Sequence, residues 1–255
     1  MVAEIQSPRE ALLDAGLEGG PTTAGDRHWW HRLTSAPSLA ITLMLVIIVA
    51  AGPFQSVDLF LAKRWLYRLD PSLLPFAQNV LDPIAGQAVC LPLLLGVAVV
   101  IAALRQSWRP LLIAGLAELG FLAGIGSLKV LLARGVAYEH DPRFLEAGLF
   151  EMGDKGISFP SGHASEAVLI YGAAVYLIAH YTGASHRLVQ ILQWAVVVIA
   201  VNSSVVSFLL GWHWASDLVG GLLAGGLVLR LLVNWDLRAR RRAEERRAEP
   251  LSAPS

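Results

Sequence analysis

Two histidines with polar neighbours are the positions in this sequence best suited to chemistry. The first ends the run Pro160-Ser161-Gly162-His163, in which proline and glycine shape a turn before a long apolar segment. A helix that begins at such a turn directs backbone N–H groups and the positive end of its dipole toward an anion. Ser161 adds a hydroxyl donor, and His163 can protonate a leaving oxygen because the unperturbed pKa of imidazole is about 6.5. Taken alone, the run also fits a plain helix start with an interfacial histidine.

The second histidine has a carboxylate four residues later. His213 and Asp217 would share one face at the start of a helix, where side chains four apart are neighbours. Asp217 would hold the imidazole in one tautomer, and a histidine held in this way can attack phosphorus to form a phosphoenzyme that water or another acceptor resolves. A capping pair at a membrane surface is the alternative. The presence of a second histidine at the same membrane face favours catalysis.

The composition is that of an integral membrane protein. Apolar residues make up 55% of the chain and charged residues only 16%, and the mean hydropathy is +0.55. The single cysteine, Cys90, excludes an internal disulfide and a cysteine-based metal site. We expect neither a metal nor a cofactor, and no nucleic-acid partner.

Six apolar segments are long enough, or nearly so, to cross the roughly 30 Å hydrocarbon layer. They are about Ser38–Ala51, Ala85–Leu104, Leu111–Leu132, Ala164–Tyr181, Leu188–Leu210 and Leu218–Val233. The first is short, so neighbouring residues or a tilt must complete its crossing. Residues Val57–Leu69 mix apolar with charged side chains, which predicts a helix in the membrane interface that does not span. The predicted fold class is all-α, a polytopic bundle of six transmembrane helices.

The arginines predict the orientation of the bundle. Arg238–Arg247 contains six arginines beside the last span, and Arg105–Arg109 contains two more. The positive-inside rule places both in the cytoplasm, so the two histidines face outward. We predict a loose cytoplasmic tail at 1–36, a membrane domain at 37–235 and a basic cytoplasmic tail at 236–255.

Between about Lys129 and Gly221 the chain resembles the type 2 phosphatidic acid phosphatase (PAP2) superfamily. Its membrane members are six-helix lipid-phosphate phosphatases related to vanadium haloperoxidases, with the motifs K-x6-R-P, P-S-G-H and S-R-x5-H-x3-D. Lys129 matches the first lysine, Pro160 to His163 match the second motif completely, and His213 with Asp217 matches the end of the third. The resemblance implies a PAP2-like core.

The resemblance also implies a role for each matching residue. Lys129, Ser161 and Gly162 would contact phosphate, and His163 would be the general acid. His213 would be the nucleophile and Asp217 its partner.

Both motif arginines are absent from this chain. The arginine and proline of the first motif fall at Val136 and Ala137, and the serine and arginine of the third fall at Val206 and Ser207. A phosphate monoester carries close to two negative charges, and charge-assisted contacts are worth about 1.5–3 kcal/mol each. Two uncompensated losses would therefore slow turnover by a few orders of magnitude.

Three explanations of the missing arginines stay open. Arg134 is the nearest replacement for a phosphate contact, but on a continuous helix it lies about 140° around the axis from Lys129, so a break near Gly135 would be needed. Cations in the outer loop could also reach the site, although a loop cation is usually solvated; these are Lys155, His140 and Arg143. A phosphodiester substrate, with one negative charge, would need fewer cations.

Two carboxylates inside predicted spans support weaker hypotheses. Glu166 lies one helical turn after His163 and could hold its ring. Glu118 shares a helix face with Lys129 but lies roughly 16 Å deeper, which favours a structural hydrogen bond between helices over catalysis.

The sequence predicts an integral membrane lipid-phosphate phosphatase that works through a phosphohistidine at the outer face of a bacterial inner membrane. Phosphatidic acid, phosphatidylglycerol phosphate and polyprenyl pyrophosphate are the candidate substrates that the resemblance implies. The alternatives are a phosphodiester lipid headgroup transferase and a catalytically impaired relative that binds or transports lipid. The sequence does not indicate the oligomeric state.

Overall fold

The computed structural model describes residues 34–248, and every regular element in that range is helical. The chain divides into two units, Met1–Ser35 and Ala36–Ser255, and all helices below belong to the second. The tail predicted at 1–36 lies almost wholly outside the described residues. The tail predicted at 236–255 begins as a continuation of the last helix, which ends at Ala248.

The longer helices are numbered in chain order, and shorter turns are named by their residues. The helices are α1 (Ala36–Ala51), α2 (Gln55–Leu61), α3 (Trp65–Leu69), α4 (Gln87–Arg105), α5 (Arg109–Leu119), α6 (Gly126–Leu132), α7 (Gly162–Tyr181), α8 (His186–Leu210) and α9 (Ala215–Ala248). A wide turn at Gly120–Ile125 joins α5 to α6 without interrupting the helical path. The segment between α6 and α7 contains only short turns, at Ala137–Glu139, Leu149–Met152 and Gly153–Gly156.

Five helical stretches in the described part of the chain are long and apolar enough to cross a membrane. They are Pro71–Arg105, Arg109–Glu139, Gly162–Tyr181, His186–Leu210 and Ala215–Arg246. A sixth crossing results if α1 and the pair α2–α3, which meet at a 77° bend, form one broken span. The predicted all-α membrane bundle is confirmed. Pro53 follows the end of α1 and cannot continue its hydrogen bonding, so Val57–Leu69 turns away as a separate segment.

The second span begins earlier than the sequence predicted. Short helical turns lead into α4, at Pro71–Leu73, Leu74–Phe76, Ala77–Leu81 and Pro83–Ala85. The Asn202 side chain of α8 donates a hydrogen bond to the Leu81 carbonyl at 2.9 Å, which ties these turns to the bundle. Asp82, in the same turns, is thereby placed beside the start of α7.

Helix α7 is the central helix of the bundle and packs against α4, α8 and α9. Its contact with α9 depends on glycines, because a Cβ at Gly225 would lie 2.5 Å from the Ser165 carbonyl oxygen and one at Gly221 would lie 2.6 Å from that of Ser161. The hydroxyl of Ser165 also donates to the Gly221 carbonyl at 3.0 Å. Small residues at these positions of α9 are what allows the two helices to pack so closely.

At the opposite end from His213, a buried carboxylate joins three helices. Asp236 of α9 accepts hydrogen bonds from Tyr176 at 2.6 Å and Tyr181 at 2.9 Å, both on α7. Arg109 of α5 and Arg240 of α9 form ion pairs with it at 2.7 Å and 3.0 Å. The carboxylate is fully paired, which is the condition for burying a charge in this setting.

Helix α6 stops at a residue with left-handed backbone conformation. Ala133 has a φ of 41°, which breaks the helix one residue before Arg134. The following segment then folds back over the end of the bundle, and backbone hydrogen bonds hold it there, from Ser158 N to Arg134 O at 2.8 Å and from Val136 N to Lys155 O at 2.9 Å. This segment, residues 133–161, covers the region that contains both histidines and is called the covering segment below.

Candidate active site

A cavity of about 430 Å³ opens where α6, the start of α7 and the connection between α8 and α9 meet the covering segment. Its lining residues are Lys129, Val136, Tyr138, Asp154, Lys155, Ile157, Ser158, Gly162, His163, Trp212 and His213. Four of the seven residues predicted for the site therefore share one cavity: Lys129, Gly162, His163 and His213. His163 lies at the start of α7 and His213 in the connection between α8 and α9, about fifty residues later, and the fold brings them together.

The interaction predicted between His213 and Asp217 is present. The Nδ1 atom of His213 lies 3.4 Å from Oδ2 of Asp217. The same oxygen accepts hydrogen bonds from the Ser158 hydroxyl at 2.5 Å and from the Trp214 backbone N–H at 3.1 Å. With Nδ1 directed at the carboxylate, Nε2 is the ring nitrogen that can attack a substrate. Ser158 thus contacts both residues, since its hydroxyl also lies 3.1 Å from His213 Nδ1.

Burial lowers the pKa of His213 below its ordinary value, because the charged imidazolium loses its hydration, and the nearby Asp217 only partly opposes this. The imidazole is therefore held neutral, which is the protonation state that a nucleophile requires. His213 lies between α8 and α9, outside the apolar stretches.

The structure assigns Arg134 contacts other than the predicted contact with phosphate. Its guanidinium is fully buried and forms ion pairs with Asp217 at 2.6 Å and with Asp58 at 2.7 Å. It also donates to the Ser216 hydroxyl at 2.8 Å and to the Pro142 carbonyl at 3.0 Å. Arg134 does not line the cavity, because the break at Ala133 turns it away from the face of α6 that contains Lys129. Its ion pair instead holds Asp217 on the side away from the cavity.

Asp58 was not predicted as a site residue, although it completes this buried network. It lies on α2, is fully buried and accepts hydrogen bonds from the Ser216 hydroxyl and from the Ser216 N–H, the latter at 3.2 Å. The sequence signal was an acidic residue in an otherwise apolar and cationic interfacial segment. Its partner Arg134 is 76 residues away, which no local pattern reveals.

A carboxylate also contacts His163, but it is not the predicted one. Nε2 of His163 lies 3.3 Å from Oδ2 of Asp82, whereas no hydrogen bond joins the ring to Glu166 among the described residues. Helix geometry places Glu166 one turn deeper along α7. The turns before α4 bring Asp82 to the ring instead.

Lys129 and Gly162 lie together on one side of the cavity, and Ser161 lies next to Gly162 outside its lining. The Lys129 ammonium donates to the Ile157 carbonyl at 2.9 Å, and the side chain passes Gly162, where a Cβ would lie 3.8 Å from its Cε. Ser161 is fully buried and caps α7, with its hydroxyl accepting a hydrogen bond from the Ala164 N–H at 3.4 Å. The structure therefore gives the Ser161 side chain a capping role, while the backbone at Gly162 faces the cavity.

The loop cations and Glu118 differ in their distance from the cavity and in their partners. Lys155 lines the cavity, whereas Arg143 is exposed and paired with Asp141 at 2.7 Å and Glu146 at 2.6 Å. The pairing lowers the pKa of Asp141, through its hydrogen bonds with Arg143. Glu118 accepts a hydrogen bond from Gln87 of α4 at 2.9 Å, which confirms its predicted structural role between helices.

Fold and motifs define the class of this protein. The PAP2 superfamily model matches residues 88–241, more than half of the chain, and the chain belongs to that superfamily. A crystal structure of a transmembrane PAP2-type phosphatidylglycerolphosphate phosphatase from Bacillus subtilis is similar in fold, with a TM-score of 0.66 and 21% identity over 80% of this chain and 96% of that chain. No curated protein matches by sequence. Family membership and the membrane fold support a lipid phosphatase.

Proposed function

We propose that this protein is an integral membrane phosphatase that hydrolyses a lipid phosphate through a phosphohistidine at His213. The observation that supports this best is the pairing of two differently equipped histidines across one cavity. His213 has a side chain that is only 13% exposed, a lowered pKa and Asp217 to orient it, whereas the side chain of His163 is 30% exposed beside Asp82. Two histidines in such different surroundings suit the roles of nucleophile and acid.

In the first step, Nε2 of His213 attacks phosphorus, the bond from phosphorus to the lipid oxygen breaks, and protonated His163 donates its proton to that oxygen. The products are the lipid alcohol and the phosphohistidine. In the second step, now-neutral His163 takes a proton from water as the water oxygen attacks phosphorus and the P–N bond breaks. Inorganic phosphate leaves, and both histidines return to their starting states. Lys129 and the start of α7 stabilise the charge that develops on the phosphoryl oxygens.

A lipid substrate is supported by an apolar groove that reaches the same end of the bundle. The groove has a volume of about 280 Å³ and lies between α1 and the start of α9. Its lining residues are Thr42, Leu45, Val46, Val49, Ala50, Phe54, Ala215, Ser216 and Val219. Ser216 also belongs to the network behind Asp217, so an acyl chain in the groove would enter beside the site.

We also propose that the protein lies in a bacterial inner membrane, with both termini in the cytoplasm and the cavity on the outer side. The arginines of α9 and of the α4–α5 connection support this orientation. In this proposal a membrane domain at 37–235 lies between two cytoplasmic tails, at 1–36 and 236–255.

The test is phosphate release in detergent from phosphatidic acid, phosphatidylglycerol phosphate and a polyprenyl pyrophosphate. We expect wild type to release phosphate, His213→Ala to release none, and His186→Ala, which changes an exposed histidine at the other end of the bundle, to match wild type. A covalent phosphoprotein that is labile in acid and stable in alkali should form in wild type alone. Release by His213→Ala at the wild-type rate would refute the mechanism. Silence across the panel would favour headgroup transfer between diesters, or lipid binding without catalysis.

A further inference from the structure

The two positions at which the PAP2 motif arginines are missing each lie beside a cation from another part of the chain. The first-motif arginine would stand at Val136 and the third-motif arginine at Ser207. Neither Val136 nor Ser207 can bind phosphate by charge. The neighbours of these two residues therefore decide how many cations the site contains.

Lys155 lies beside Val136. The Val136 N–H donates to the Lys155 carbonyl at 2.9 Å, and both residues line the cavity. The Lys155 ammonium pairs with Glu139 at 3.2 Å and its side chain is 56% exposed, so a ligand in the cavity can reach the ammonium and replace Glu139. The hydrogen bond with Glu139 raises the pKa of Lys155, which keeps the ammonium charged at neutral pH.

Arg64 lies beside the turn that follows Ser207. Gly211, one helical turn after Ser207, has a φ of 73°, and a Cβ there would lie 2.5 Å from Cγ of Arg64. The Trp212 N–H donates to the Ser207 carbonyl at 3.1 Å, so this turn directly joins the missing arginine position to His213. Arg64 therefore approaches the same end of α8 from which the motif arginine is absent.

The Arg64 guanidinium has no carboxylate partner among the described residues. Its Nε is buried without a hydrogen-bond partner there. The guanidinium instead stacks 3.9 Å from the ring centroid of Tyr67 and lies 5.8 Å from that of Tyr138. The Lys155 ammonium lies 5.6 Å from the centroid of the same Tyr138 ring, which lines the cavity. Both cations thus adjoin one aromatic side chain of the site.

We propose that Lys155 and Arg64 replace the two missing motif arginines and, with Lys129, bind the doubly charged phosphate of a lipid monoester. This inference rests on the proposed function and narrows its substrate class. Three cations restore the charge that a dianionic phosphoryl group requires, whereas a diester with a single negative charge would leave two of them unused. The positive charge of the two motif arginines is then supplied by Lys155 and Arg64 from other positions in the chain.

The test compares Arg64→Gln and Lys155→Gln with two matched controls. Arg68→Gln removes an exposed arginine four residues after Arg64, and Arg143→Gln removes an exposed arginine of the covering segment. The measurements are kcat/KM for dioctanoyl phosphatidic acid and the equilibrium Kd for inorganic phosphate. We expect each site variant to lose about 10- to 100-fold in kcat/KM and to bind phosphate more weakly, with both controls within about twofold of wild type. Arg64→Lys, which keeps the charge, should recover part of the loss.

The outcomes separate this inference from the proposed function. If His213→Ala is inactive while Arg64→Gln and Lys155→Gln equal wild type in both measurements, the inference fails and the phosphatase stands. If His213→Ala keeps its activity, or wild type does not turn over, the proposed function fails and the phosphate Kd alone decides the inference. An unchanged Kd in both site variants would then overturn it.

Discussion

At the residue scale, the environment of each histidine determines its chemistry. His213 and His163 have the same side chain, but that of His213 is 13% exposed beside Asp217 and that of His163 is 30% exposed beside Asp82. A pair of titratable groups in contrasting surroundings is how one site contains both a nucleophile and an acid at the same pH. Ser158 adds to this by donating to Asp217 at 2.5 Å, which fixes the carboxylate oxygen that faces the imidazole.

The lowered pKa of His213 predicts the acidic limb of the pH profile. In the proposed mechanism the neutral imidazole of His213 is the nucleophile, so on the acidic side kcat/KM should fall as pH drops through the folded-state pKa of His213. Because burial lowers that pKa, the limb should lie below the ordinary histidine value of about 6.5. Measuring kcat/KM of wild type across the acidic range checks this. An acidic limb above the ordinary value would contradict a desolvated, neutral His213.

At the element scale, α2 supports a site to which it contributes no lining residue. The Arg134 guanidinium forms ion pairs with Asp58 of α2 at 2.7 Å and with Asp217 of α9 at 2.6 Å. The break at Ala133 is required for this, since it frees Arg134 from the axis of α6. The short helix α2 is thereby linked to Asp217, the partner of His213, through one buried arginine.

Asp58→Asn should therefore destabilise the fold and impair catalysis together. Removing one partner of a buried ion pair typically costs about 3–5 kcal/mol, because the remaining charge stays buried. Arg134 would then hold Asp217 less rigidly. The measurements are the thermal midpoint in detergent and kcat on a lipid phosphate, with Asp70→Asn as control, since Asp70 is exposed at the end of α3. Equal effects of the two substitutions would show that the network has no special role.

At the scale of the whole molecule, close packing of α7 against α9 holds together the two segments that contain the proposed catalytic residues. His163 begins α7 and Asp217 begins α9, and the two helices approach closely at Gly221 and Gly225. Without side chains at these glycines the backbones come near enough for Ser161 N to donate to the Asp217 carbonyl at 2.9 Å. A hydrogen bond thus joins the two parts of the site directly.

Gly225→Ala should separate these helices. The new Cβ would lie 2.5 Å from the Ser165 carbonyl oxygen, which is backbone and cannot rotate away. Overpacking of this kind costs about 1–3 kcal/mol, and we expect a lower thermal midpoint together with reduced kcat. Gly226→Ala is the matched control, because its nearest neighbour is a Leu39 methyl at 4.0 Å. A control as damaging as Gly225→Ala would point to a general intolerance of α9.

The sequence by itself determined the class of fold and provided most of the groups of the proposed mechanism. Apolar length predicts spans because each must satisfy its own backbone in lipid, and the spacing of His213 and Asp217 predicts their contact because four residues make about one helical turn. The partners of these groups depended on tertiary structure. Arg134 became a support for Asp217, Asp82 took the place expected for Glu166, and Arg64 came to Gly211, since each contact joins distant segments whose approach is set by helix breaks and packing. Local patterns report what a residue can do, and only the assembled bundle decides which residue it meets.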